Sequence, residues 1–427
     1  MKILAISTDA LFTGMLHRLK REGNEIKMFI QTEAMKQVFD GIVDKVDSYE
    51  EWIDWADLIV FDDVGFGRLQ DDLRKEGKLV VGGSGYFDKL ESDRTAGHDK
   101  FVDMGLKTPD FHEFKSFDEA VEFVRENPGR YVVKPYGKTE NRKELAYVGM
   151  KDDGSDVIAV LERYKERYPS SSEHIELEEF IDGIEVATSA YFNGGEFIYP
   201  ININYEHKRF FNDDLGVNTG EQGTVMHWSH GDFRLFEEGL QKLEGELRKE
   251  NYVGCIDINY IVTEENAYPL EFTNRFGYPS LFIQLEALNG RMKVADFLYG
   301  LATGELEYLP IPENEYQIGI VGNMPPYPYD CPKIFDMLSK DMPIHIPESM
   351  GDHIWLCDAY WKDGKYRLTG KIGYPFVVTA RGPTVERARE MAYAYMDTVR
   401  MPNMYYRTDI GARTGGHIEM LRGWGWI

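Results

Sequence analysis

Residue types that could hold a nucleotide together with a divalent cation are concentrated between Glu178 and Arg275 of this 427-residue chain. The first of them lie in the segment Glu178–Val186, EEFIDGIEV. Backbone N–H and C=O groups along its Glu-Glu-Phe run could pair with the edge of an adenine. Glu185, placed after a glycine, could accept hydrogen bonds from both hydroxyls of a ribose. An acidic, solvated loop explains the same spacing equally well.

A basic turn, His207–Arg209, is followed by a glycine-rich loop, Gly216–Gly223, with the sequence GVNTGEQG. Glycines let backbone N–H groups approach an anion closely, and adjacent cations supply the charge that a polyphosphate needs. The alternative is an ordinary solvated hairpin turn. Because basic residues are outnumbered 73 to 48 by acidic ones in this chain, their grouping here favours an anion-binding role.

A predicted strand, Tyr268–Phe272, ends in a run of polar residues that could ligate a metal ion and an anion. Strand alternation puts Glu271 and Arg275 on one face and Asn274 on the other, unless the strand ends first. Mg²⁺ usually takes one or two protein carboxylates, so Glu271 is the first candidate ligand. Asp257, on the preceding strand, is either a second ligand or a buried structural aspartate. Arg275 can present two parallel N–H groups to a carboxylate or phosphate.

Lys134 ends the apolar strand run YVV, Tyr131–Val133, and a polar loop, 137–143, follows it. A lysine at the end of a strand is a common phosphate contact, although a surface lysine explains this position as well. The turn Gly83–Gly85 could be taken for a dinucleotide-binding loop. We expect no such role, because the third glycine and a following helix are missing from the pattern.

The bulk composition excludes several classes of protein. A net charge of −25 and a pI near 4.9 argue against nucleic-acid and anionic-membrane surfaces. Three scattered cysteines fit a reducing compartment, and the ten histidines lack metal-binding spacing. No run of residues resembles a signal peptide or approaches the ~18 apolar residues of a membrane span. We therefore expect a cytoplasmic protein.

The hydrophobic periodicity predicts an α/β chain that begins with a small parallel sheet covered by helices. The predicted strands of this sheet are Lys2–Ser7, Glu25–Ile30, Asp57–Phe61 and Lys78–Val81. Asp9 is a candidate N-cap for the first helix, and Asp232 for a helix that carries the stripe Phe236, Leu240, Leu243 and Leu247. Frequent prolines beyond residue 310 mark the crossing into a third region.

Five motifs resemble, in the order of the chain, those of the ATP-grasp superfamily, and within it those of the phosphoribosylamine–glycine ligases. EEFIDGIE is similar to the family's EEFLxGEE, and EHKR, Glu206–Arg209, to its DHKR. GVNTGEQG is similar to GPNTGGMG, and EFTNRFGYPS, Glu271–Ser280, to EFNxRFGDPE. The C-terminal YYRTDIGAR, Tyr405–Arg413, is similar to the family's YRxDIG.

The resemblance implies an ATP-grasp fold, α/β and in part α+β, with a Rossmann-like parallel-sheet domain at 1–95. It implies an ATP-grasp domain at 96–310, with a lid subdomain at about 125–185, and a β-rich domain at 311–427. The implied activity is ligation: ATP phosphorylates a carboxylate, glycine first, and an amine, phosphoribosylamine first, attacks the acyl phosphate. The implied cofactors are ATP and Mg²⁺, or Mn²⁺, and the implied assembly is a monomer or homodimer.

Residue by residue, the resemblance implies three sets of roles. Nucleotide contacts fall on Arg94, Lys134, Glu178, Glu179, Phe180, Ile181 and Glu185. Catalytic roles fall on Lys208, Arg275 and Asn218, and substrate contacts on Thr219, Gly220 and Gly277. Metal ligation falls on Glu271, Asn274 and Asp257.

The chain departs from the family at the amine side. The N-terminal GGREHA, which helps hold the phosphorylated sugar amine, is replaced by Thr8–Thr13, TDALFT, without arginine or a glycine pair. The glycine-rich lid after VVK is replaced by the polar PYGKTENRKELAYVG, 135–149. A different amine or modified nucleotide, or a catalytically inactive nucleotide-binding relative, are therefore the alternatives. A nicotinamide-dependent oxidoreductase is disfavoured by the missing glycine fingerprint.

Overall fold

The computed structural model describes residues 1–136, 146–167 and 174–427. They form two compact units. The larger unit contains Met1–Met104, Glu185–Tyr260 and Leu270–Ile427, and the smaller unit contains Gly105–Ile184 and Ile261–Pro269. The bounds of these two units differ from the predicted domain ranges 1–95, 96–310 and 311–427. The division into three domains therefore remains a prediction. The predicted polar loop at 137–143 lies outside the described residues.

The strands, in chain order, are β1 Lys2–Ser7, β2 Glu25–Ile30, β3 Asp44–Lys45, β4 Leu58–Phe61, β5 Val80–Val81, β6 Phe111–Phe114, β7 Tyr131–Tyr136, β8 Tyr147–Val148, β9 His174–Glu179, β10 Ile184–Asn193, β11 Phe197–Glu206, β12 Arg209–Phe211, β13 Leu215–Asn218, β14 Gly223–Ser229, β15 Val253–Val262, β16 Ala267–Thr273, β17 Tyr316–Gly322, β18 Pro343–Ile344, β19 Ile354–Leu356, β20 Ala359–Lys362, β21 Lys365–Leu368 and β22 Phe376–Gly382.

The α-helices are α1 Thr13–Arg21, α2 Gly67–Lys75, α3 Gly85–Ser92, α4 Arg94–Asp103, α5 Phe117–Glu126, α6 Ser155–Arg167, α7 Arg234–Glu238, α8 Glu244–Lys249, α9 Ser280–Leu288, α10 Val294–Thr303, α11 Pro332–Leu338, α12 Val385–Met396 and α13 Thr414–Gly423. Short 3-10 helices cover Glu33–Met35, Glu50–Trp52, Asn212–Asp214, Leu240–Leu243 and Glu348–Met350.

The N-terminal sheet of the larger unit has the strand order β3-β2-β1-β4-β5, with parallel pairing throughout. Its central strands β1 and β4 are almost continuously apolar and buried, as expected where helices cover both faces of a parallel sheet. The predicted α/β class and parallel first sheet are confirmed. β1 and β2 have the predicted bounds, whereas β5 is shorter than predicted.

The largest sheet in the described chain has the order β16-β15-β10-β11-β14-β17-β22-β19. Its pairings from β10 through β11, β14, β17 and β22 to β19 are antiparallel. The C-terminal strands β17, β19 and β22 therefore extend the same sheet that carries β10, β11 and β15. This strand order matters for the site, because it brings β16, β15, β10 and β11 side by side although they are far apart in sequence.

The smaller unit contains a sheet with the order β6-β9-β7-β8. Helices α5 and α6 pack on it, and one apolar cluster joins helices and strands. The fully buried members of that cluster are Ala120, Val124, Val133, Val157, Leu161, Ile175 and Leu177. Ser116 caps α5 by accepting from the Glu119 N–H at 3.2 Å. Since β7 continues to Tyr136, Lys134 lies within a strand and not at its end.

Two predicted helix starts are wrong. Helix α1 begins at Thr13 with Phe12 at its N-cap and no capping side chain, and Asp9 instead pairs with Lys371 at 3.3 Å. The turn at Gly83–Gly85 does lead into a helix, contrary to the prediction. Ser84 accepts from the N–H of Phe87 and caps α3, which begins at Gly85.

The single helix predicted after Asp232 is interrupted. It consists of α7, a 3-10 turn at Leu240–Leu243 and α8, and the N-cap of α7 is Phe233. The break falls at Gly239, where an added Cβ would lie 2.0 Å from the Tyr260 hydroxyl. The apolar stripe is nevertheless buried, because Leu240, Leu243 and Leu247 are inaccessible to solvent. Among the described residues, none of the helices combines the length and apolar character that a membrane crossing requires.

Candidate active site

Lys208 occupies the centre of an acidic cluster in the larger unit. Its Nζ lies 2.8 Å from Glu185 Oε1, 3.3 Å from Glu206 Oε2 and 3.4 Å from Glu271 Oε1. Glu185 comes from β10, Glu206 from the end of β11 and Glu271 from β16. The predicted residues Lys208, Glu185 and Glu271 are therefore brought together by the strand order of the large sheet.

The cluster shifts the protonation equilibria of its members. Burial disfavours the charged form of Lys208, but the nearby charges of Glu185 and Glu206 outweigh it and raise its pKa well above the ordinary value. The pKa of Glu206 is raised, first by burial and then by the charge of Glu185, with Lys208 acting in the opposite direction. Lys208 thus remains an ammonium ion, and its charge is held within a mostly acidic surrounding.

Asp257 lies on β15 beside this cluster and is 8% exposed. Its Oδ2 accepts from Asn204 Nδ2 at 3.2 Å, while its Oδ1 has no hydrogen-bond partner within the described ranges. Burial and then the charge of Glu206 raise the pKa of Asp257 well above its ordinary value. A buried carboxylate oxygen without a donor is a suitable metal ligand.

These residues fit a Mg²⁺ ion that completes its shell with nonprotein ligands. Asp257 and Glu271 lie on the neighbouring strands β15 and β16, and Mg²⁺ usually takes one or two protein carboxylates plus phosphate and water oxygens. In the described part of the chain, no group of three or more His, Cys, Asp or Glu residues is arranged to hold a metal by itself. The arrangement suits a cation that arrives with a polyphosphate.

Asn274 and Arg275 have hydrogen-bond partners that differ from those of Lys208. The Asn274 Nδ2 donates to the Phe87 carbonyl at 2.7 Å, and its side chain is fully buried. The Arg275 Nε lies 3.1 Å from Glu91 Oε1 and 3.5 Å from Asp63 Oδ1. Strand β16 extends one residue beyond the predicted strand at each end, and the predicted alternation continues with Asn274 buried and Arg275 partly exposed.

The charge environment of Arg275 keeps it ionised. Burial disfavours its charged form, but the carboxylates of Glu91 and Asp63 raise its pKa further. The pKa of Glu91 is raised by burial, against the opposing charge of Arg275. Arg275 therefore contributes a fixed positive charge next to a carboxyl that is easier to protonate than usual.

The predicted substrate loop projects from Lys208. The N–H and the hydroxyl of Thr219 both donate to the Lys208 carbonyl at 2.8 Å. Asn218 and Gly220 are exposed, and Asn218 pairs with Arg209 in the β12–β13 hairpin. Gly277 lies in the turn before α9, close to Ser280.

The C-terminal motif anchors the base of this loop. The buried Arg407 donates to the Arg209 carbonyl at 2.8 Å and pairs with Asp214 at 3.0 Å. The N–H of Gly411 donates to His207 Nε2 at 3.1 Å. Burial, and then the charge of Arg407, lower the pKa of His207 to about 4, so it is neutral and able to accept this bond.

In the smaller unit, Lys134 and Glu178 face each other on β7 and β9. The Lys134 Nζ lies 2.5 Å from Glu178 Oε2, and both side chains are largely buried. Glu179 is exposed, and its N–H donates to the Asp110 carbonyl at 2.8 Å. Lys134 is thus ion-paired in this structure and not a loose surface lysine.

Phe180 lies beneath a guanidinium group. The Arg130 Cζ is 3.5 Å from the centroid of the Phe180 ring, and the Phe180 N–H donates to the Arg130 carbonyl at 3.1 Å. The next residue, Ile181, is partly exposed. Since the Phe180 amide is already used, Ile181 offers the next backbone N–H for the edge of a base. Arg94, the remaining predicted nucleotide contact, is exposed at the start of α4 in the larger unit.

Three acidic residues near the predicted site residues were not among the candidates from the sequence: Glu91 beside Arg275, and Glu206 and Glu221 near Lys208. Glu206 stands in the EHKR motif and Glu221 in GVNTGEQG, so the motifs contained the available signal. Glu91 had no comparable signal, because its contact with Arg275 joins positions that are 184 residues apart.

A separate cavity of about 380 Å³ beside β2, lined by Trp52 and Trp55, contains none of the predicted site residues.

Comparison with known proteins identifies the domain that carries these residues. Residues 95–281 match the family model described as "Phosphoribosylglycinamide synthetase, ATP-grasp (A) domain". This part of the chain is an ATP-grasp domain. Curated relatives that cover most of the chain agree. A phosphoribosylamine–glycine ligase of Streptococcus suis is 26% identical over 366 residues, which cover 82% of each chain.

Solved structures show the same fold as this ATP-grasp enzyme. The phosphoribosylamine–glycine ligase of Thermotoga maritima has a TM-score of 0.68 at 20% identity and covers 96% of this chain and 100% of its own. The biotin carboxylase domain of a Hydrogenobacter thermophilus 2-oxoglutarate carboxylase, in complex with MgADP and bicarbonate, has a TM-score of 0.61 at 14% identity. It covers 95% of this chain and 91% of its own. The predicted ATP-grasp fold is confirmed, and the enzyme is a carboxylate–amine ligase.

Proposed function

We propose that this ATP-grasp enzyme activates a carboxylate as an acyl phosphate and transfers the acyl group to an amine, with glycine and phosphoribosylamine as the first substrate pair. A carboxylate is a poor electrophile until one of its oxygens becomes part of a phosphate leaving group. The terminal phosphoryl group of ATP supplies that phosphate, and attack by the amine forms the amide and releases inorganic phosphate. The named ligase relatives support this pair.

The observation that carries the proposal is the ammonium of Lys208 among the carboxylates of Glu185, Glu206 and Glu271. Phosphoryl transfer needs fixed positive charge where negative charge accumulates, and it needs little covalent help from the protein. Lys208 supplies that charge on a rigid sheet, and Arg275 supplies a second one. Positioned charge of this kind lowers the barrier without reorganisation during the reaction.

The proposed nucleotide contacts follow the motifs of the family resemblance, and each unit is considered by itself. In the smaller unit, Lys134 would contact phosphates, and the backbone at Glu179–Ile181 would hold the adenine. In the larger unit, Glu185 would accept from the ribose hydroxyls, which would also loosen its ion pair with Lys208. The remaining proposed contacts are those of Glu178, Phe180 and Arg94.

Mg²⁺ would be held by Asp257 and Glu271, and Mn²⁺ could replace it. When bound, the ion neutralises phosphate charge and orients the polyphosphate. Asn274 stays a predicted ligand only if its bond to the Phe87 carbonyl opens. Asn218, Thr219, Gly220 and Gly277 are proposed to contact the substrates from the loops around Lys208 and before α9.

A panel of ADP-release assays tests the proposal. Amino acids are crossed with amines, phosphorylated and unphosphorylated, in the presence of MgATP. A ligase releases ADP only when a carboxylate and an amine are both present. If ATP binds but no pair in a broad panel gives turnover, the protein is a nucleotide-binding relative without catalysis.

Ligation to a different amine acceptor is the second candidate function, because backbone N–H groups of the loop after β1 already donate to a carboxylate of the protein. The Leu11 N–H donates to Asp62 Oδ2 at 3.0 Å, and the Thr8 N–H to Asp62 Oδ1 at 3.3 Å. Ser7 Oγ also donates to the fully buried Asp62. Free amides at such a strand–helix loop are what usually receive a phosphate, and here a carboxylate has taken them. A panel in which unphosphorylated amines react and phosphoribosylamine does not would select this candidate.

A further inference from the structure

Glu221 is a buried carboxylate that the proposed reaction leaves unexplained. Glu221 is only 6% exposed to solvent. Its Oε1 has no hydrogen-bond partner in the parts of the chain that the structure describes. Burying an ionisable group without a donor is costly, so such a group indicates a ligand or a special role.

The neighbours of Glu221 do not supply the missing donor. Its electrostatic neighbours are Glu206, Lys208, Asp257 and Glu185, of which only Lys208 is positive. An ammonium has three N–H groups, and those of Lys208 are matched by Glu185, Glu206 and Glu271. The site therefore lacks one positively charged hydrogen-bond donor next to Glu221.

Two tyrosines are also electrostatic neighbours of Glu221. Tyr327 and Tyr374 both interact electrostatically with Glu221, and their ring centroids are 6.1 Å apart. The Tyr374 hydroxyl is a second buried polar atom without a partner among the described residues. A carboxylate beside tyrosine rings is the usual environment for an organic ammonium, because both the charge and the ring faces attract it.

The residue at this position distinguishes the chain from the motif that it resembles. Where GPNTGGMG has the second glycine of its central pair, GVNTGEQG has Glu221. Burial, and then the charge of Glu206, raise the pKa of Glu221 well above its ordinary value. A bound cation would favour the charged carboxylate, whereas a neutral or anionic acceptor would not.

We propose that Glu221 binds a second, unreactive ammonium group of the acceptor and directs the enzyme to diamines, whose other nitrogen attacks the acyl phosphate as the free amine. The Tyr374 hydroxyl is a further candidate partner of the bound ammonium. Glu221 is a specificity-determining residue in this assignment. The inference rests on the proposed ligase activity, in the form in which the acceptor is an amine other than phosphoribosylamine.

The test compares the wild type with Glu221→Gln, which keeps the shape and removes the charge. The acceptor is 1,4-diaminobutane, with methylamine, ethanolamine and phosphoribosylamine alongside because they carry no second ammonium group, and amide formation is measured with glycine and MgATP. Loss of one ion pair is expected to raise the KM for the diamine by about tenfold or more, with kcat much less affected. Hydroxylamine, which is uncharged at neutral pH, traps the acyl phosphate as a hydroxamate, and its rate should not change.

The matched control is Glu286→Gln, the same substitution at another buried glutamate. The Glu286 oxygens accept from Thr379 Oγ1 at 2.8 Å and contact His353 Nδ1 at 3.1 Å, and neither of these partners belongs to the proposed site. This variant should leave the KM for 1,4-diaminobutane unchanged, so a general effect of neutralising a buried acid would be visible.

The possible outcomes separate the two proposals. If hydroxamate forms but 1,4-diaminobutane is not accepted, or if Glu221→Gln does not raise its KM, the role of Glu221 is wrong and the ligase proposal stands. If no hydroxamate forms with glycine or any other carboxylate of the panel, the ligase proposal itself fails. A raised KM for the diamine together with an unchanged hydroxamate rate supports both.

Discussion

Burial of the Lys208 ammonium group has a desolvation cost, and the same buried charge is what a phosphoryl transfer requires. Its three N–H groups meet three glutamates, and its side chain is 22% exposed, so the cluster is only partly screened by water. An ammonium ion in such a place keeps its proton under all ordinary conditions. That suits a residue whose task is to present charge to a phosphate, and it excludes a role as a proton-transferring base.

Replacement of Lys208 by glutamine should lower hydroxamate formation from glycine by roughly 100-fold or more, since a preorganised charge at the reacting centre is removed. The neutral amide cannot stabilise the charge that develops during phosphoryl transfer. Steady-state trapping with hydroxylamine measures the effect, and far-ultraviolet circular dichroism checks folding. Lys249→Gln, which changes an exposed lysine of the same unit, is the control. Full activity of the Lys208 variant would remove this residue from the mechanism.

At the scale of elements, the break at Gly239 is imposed by the packing of a distant strand. The apolar stripe from Phe236 to Leu247 has helical spacing, and that spacing predicted one continuous helix. The hydroxyl of Tyr260 on β15 occupies the position that a Cβ at residue 239 would need. Local periodicity contains no information about a side chain from elsewhere in the chain, so the helix was predictable and its interruption was not.

The variant Gly239→Ala should be destabilised by about 1–3 kcal/mol, because the added methyl group forces Tyr260 or the backbone to move. Gly245→Ala is the matched control: its position in α8 has no atoms within contact distance of an added Cβ. There, alanine should be neutral or stabilising, because it favours a helix over glycine. Urea unfolding of both variants measures the difference. Equal stability of the two would mean that the close approach at Gly239 is not real.

The link between His207 and Gly411 makes the base of the substrate loop sensitive to acid. The folded-state pKa of His207 is lowered to about 4 from 6.5, by burial first and then by Arg407. The stabilising contribution of the neutral ring is complete above the unfolded value of 6.5 and declines as the pH falls toward 4. The nearby charges that modulate it are those of Asp214, Asp409 and Arg413.

A His207→Gln variant should therefore lose less stability on acidification than the wild type does. Between about pH 6.5 and pH 4 the wild type should lose up to ~1.4 kcal/mol per pH unit that the variant retains. Urea-unfolding curves for both proteins at about pH 7.5 and about pH 5 measure this difference. A constant difference in the free energy of unfolding across that range would show that His207 titrates normally.

At the scale of the whole molecule, the sequence motifs identified more of the site residues than the predicted helices and strands did. Lys208, Glu185, Glu271 and Asp257 were all identified from the sequence, and the order β16-β15-β10-β11 places them near one another. The sequence could not show that Lys208 pairs with three acids at once, because strand order is set by non-local pairing. Asn274 was identified by its type, but its bond to the Phe87 carbonyl depends on α3.

Glu221 shows what a comparison with family motifs can miss. A motif match attends to positions that agree, and this residue lies in the matched loop at a position that differs. Its importance emerged only from its burial and from the unpartnered oxygen beside Lys208. The nucleotide-handling residues follow the family pattern, whereas the substrate side combines departures at Thr8–Thr13 and at Glu221.

Transfer of oxygen from the carboxylate to phosphate tests the acyl phosphate most directly. Glycine labelled with ¹⁸O in its carboxylate is incubated with the enzyme, MgATP and hydroxylamine, and the inorganic phosphate is analysed by mass spectrometry. Attack of the carboxylate on the terminal phosphorus carries one labelled oxygen into the phosphate that is later released. We expect one ¹⁸O atom per phosphate formed with each hydroxamate. Unlabelled phosphate, released in step with product, would contradict an acyl phosphate and with it the proposed mechanism.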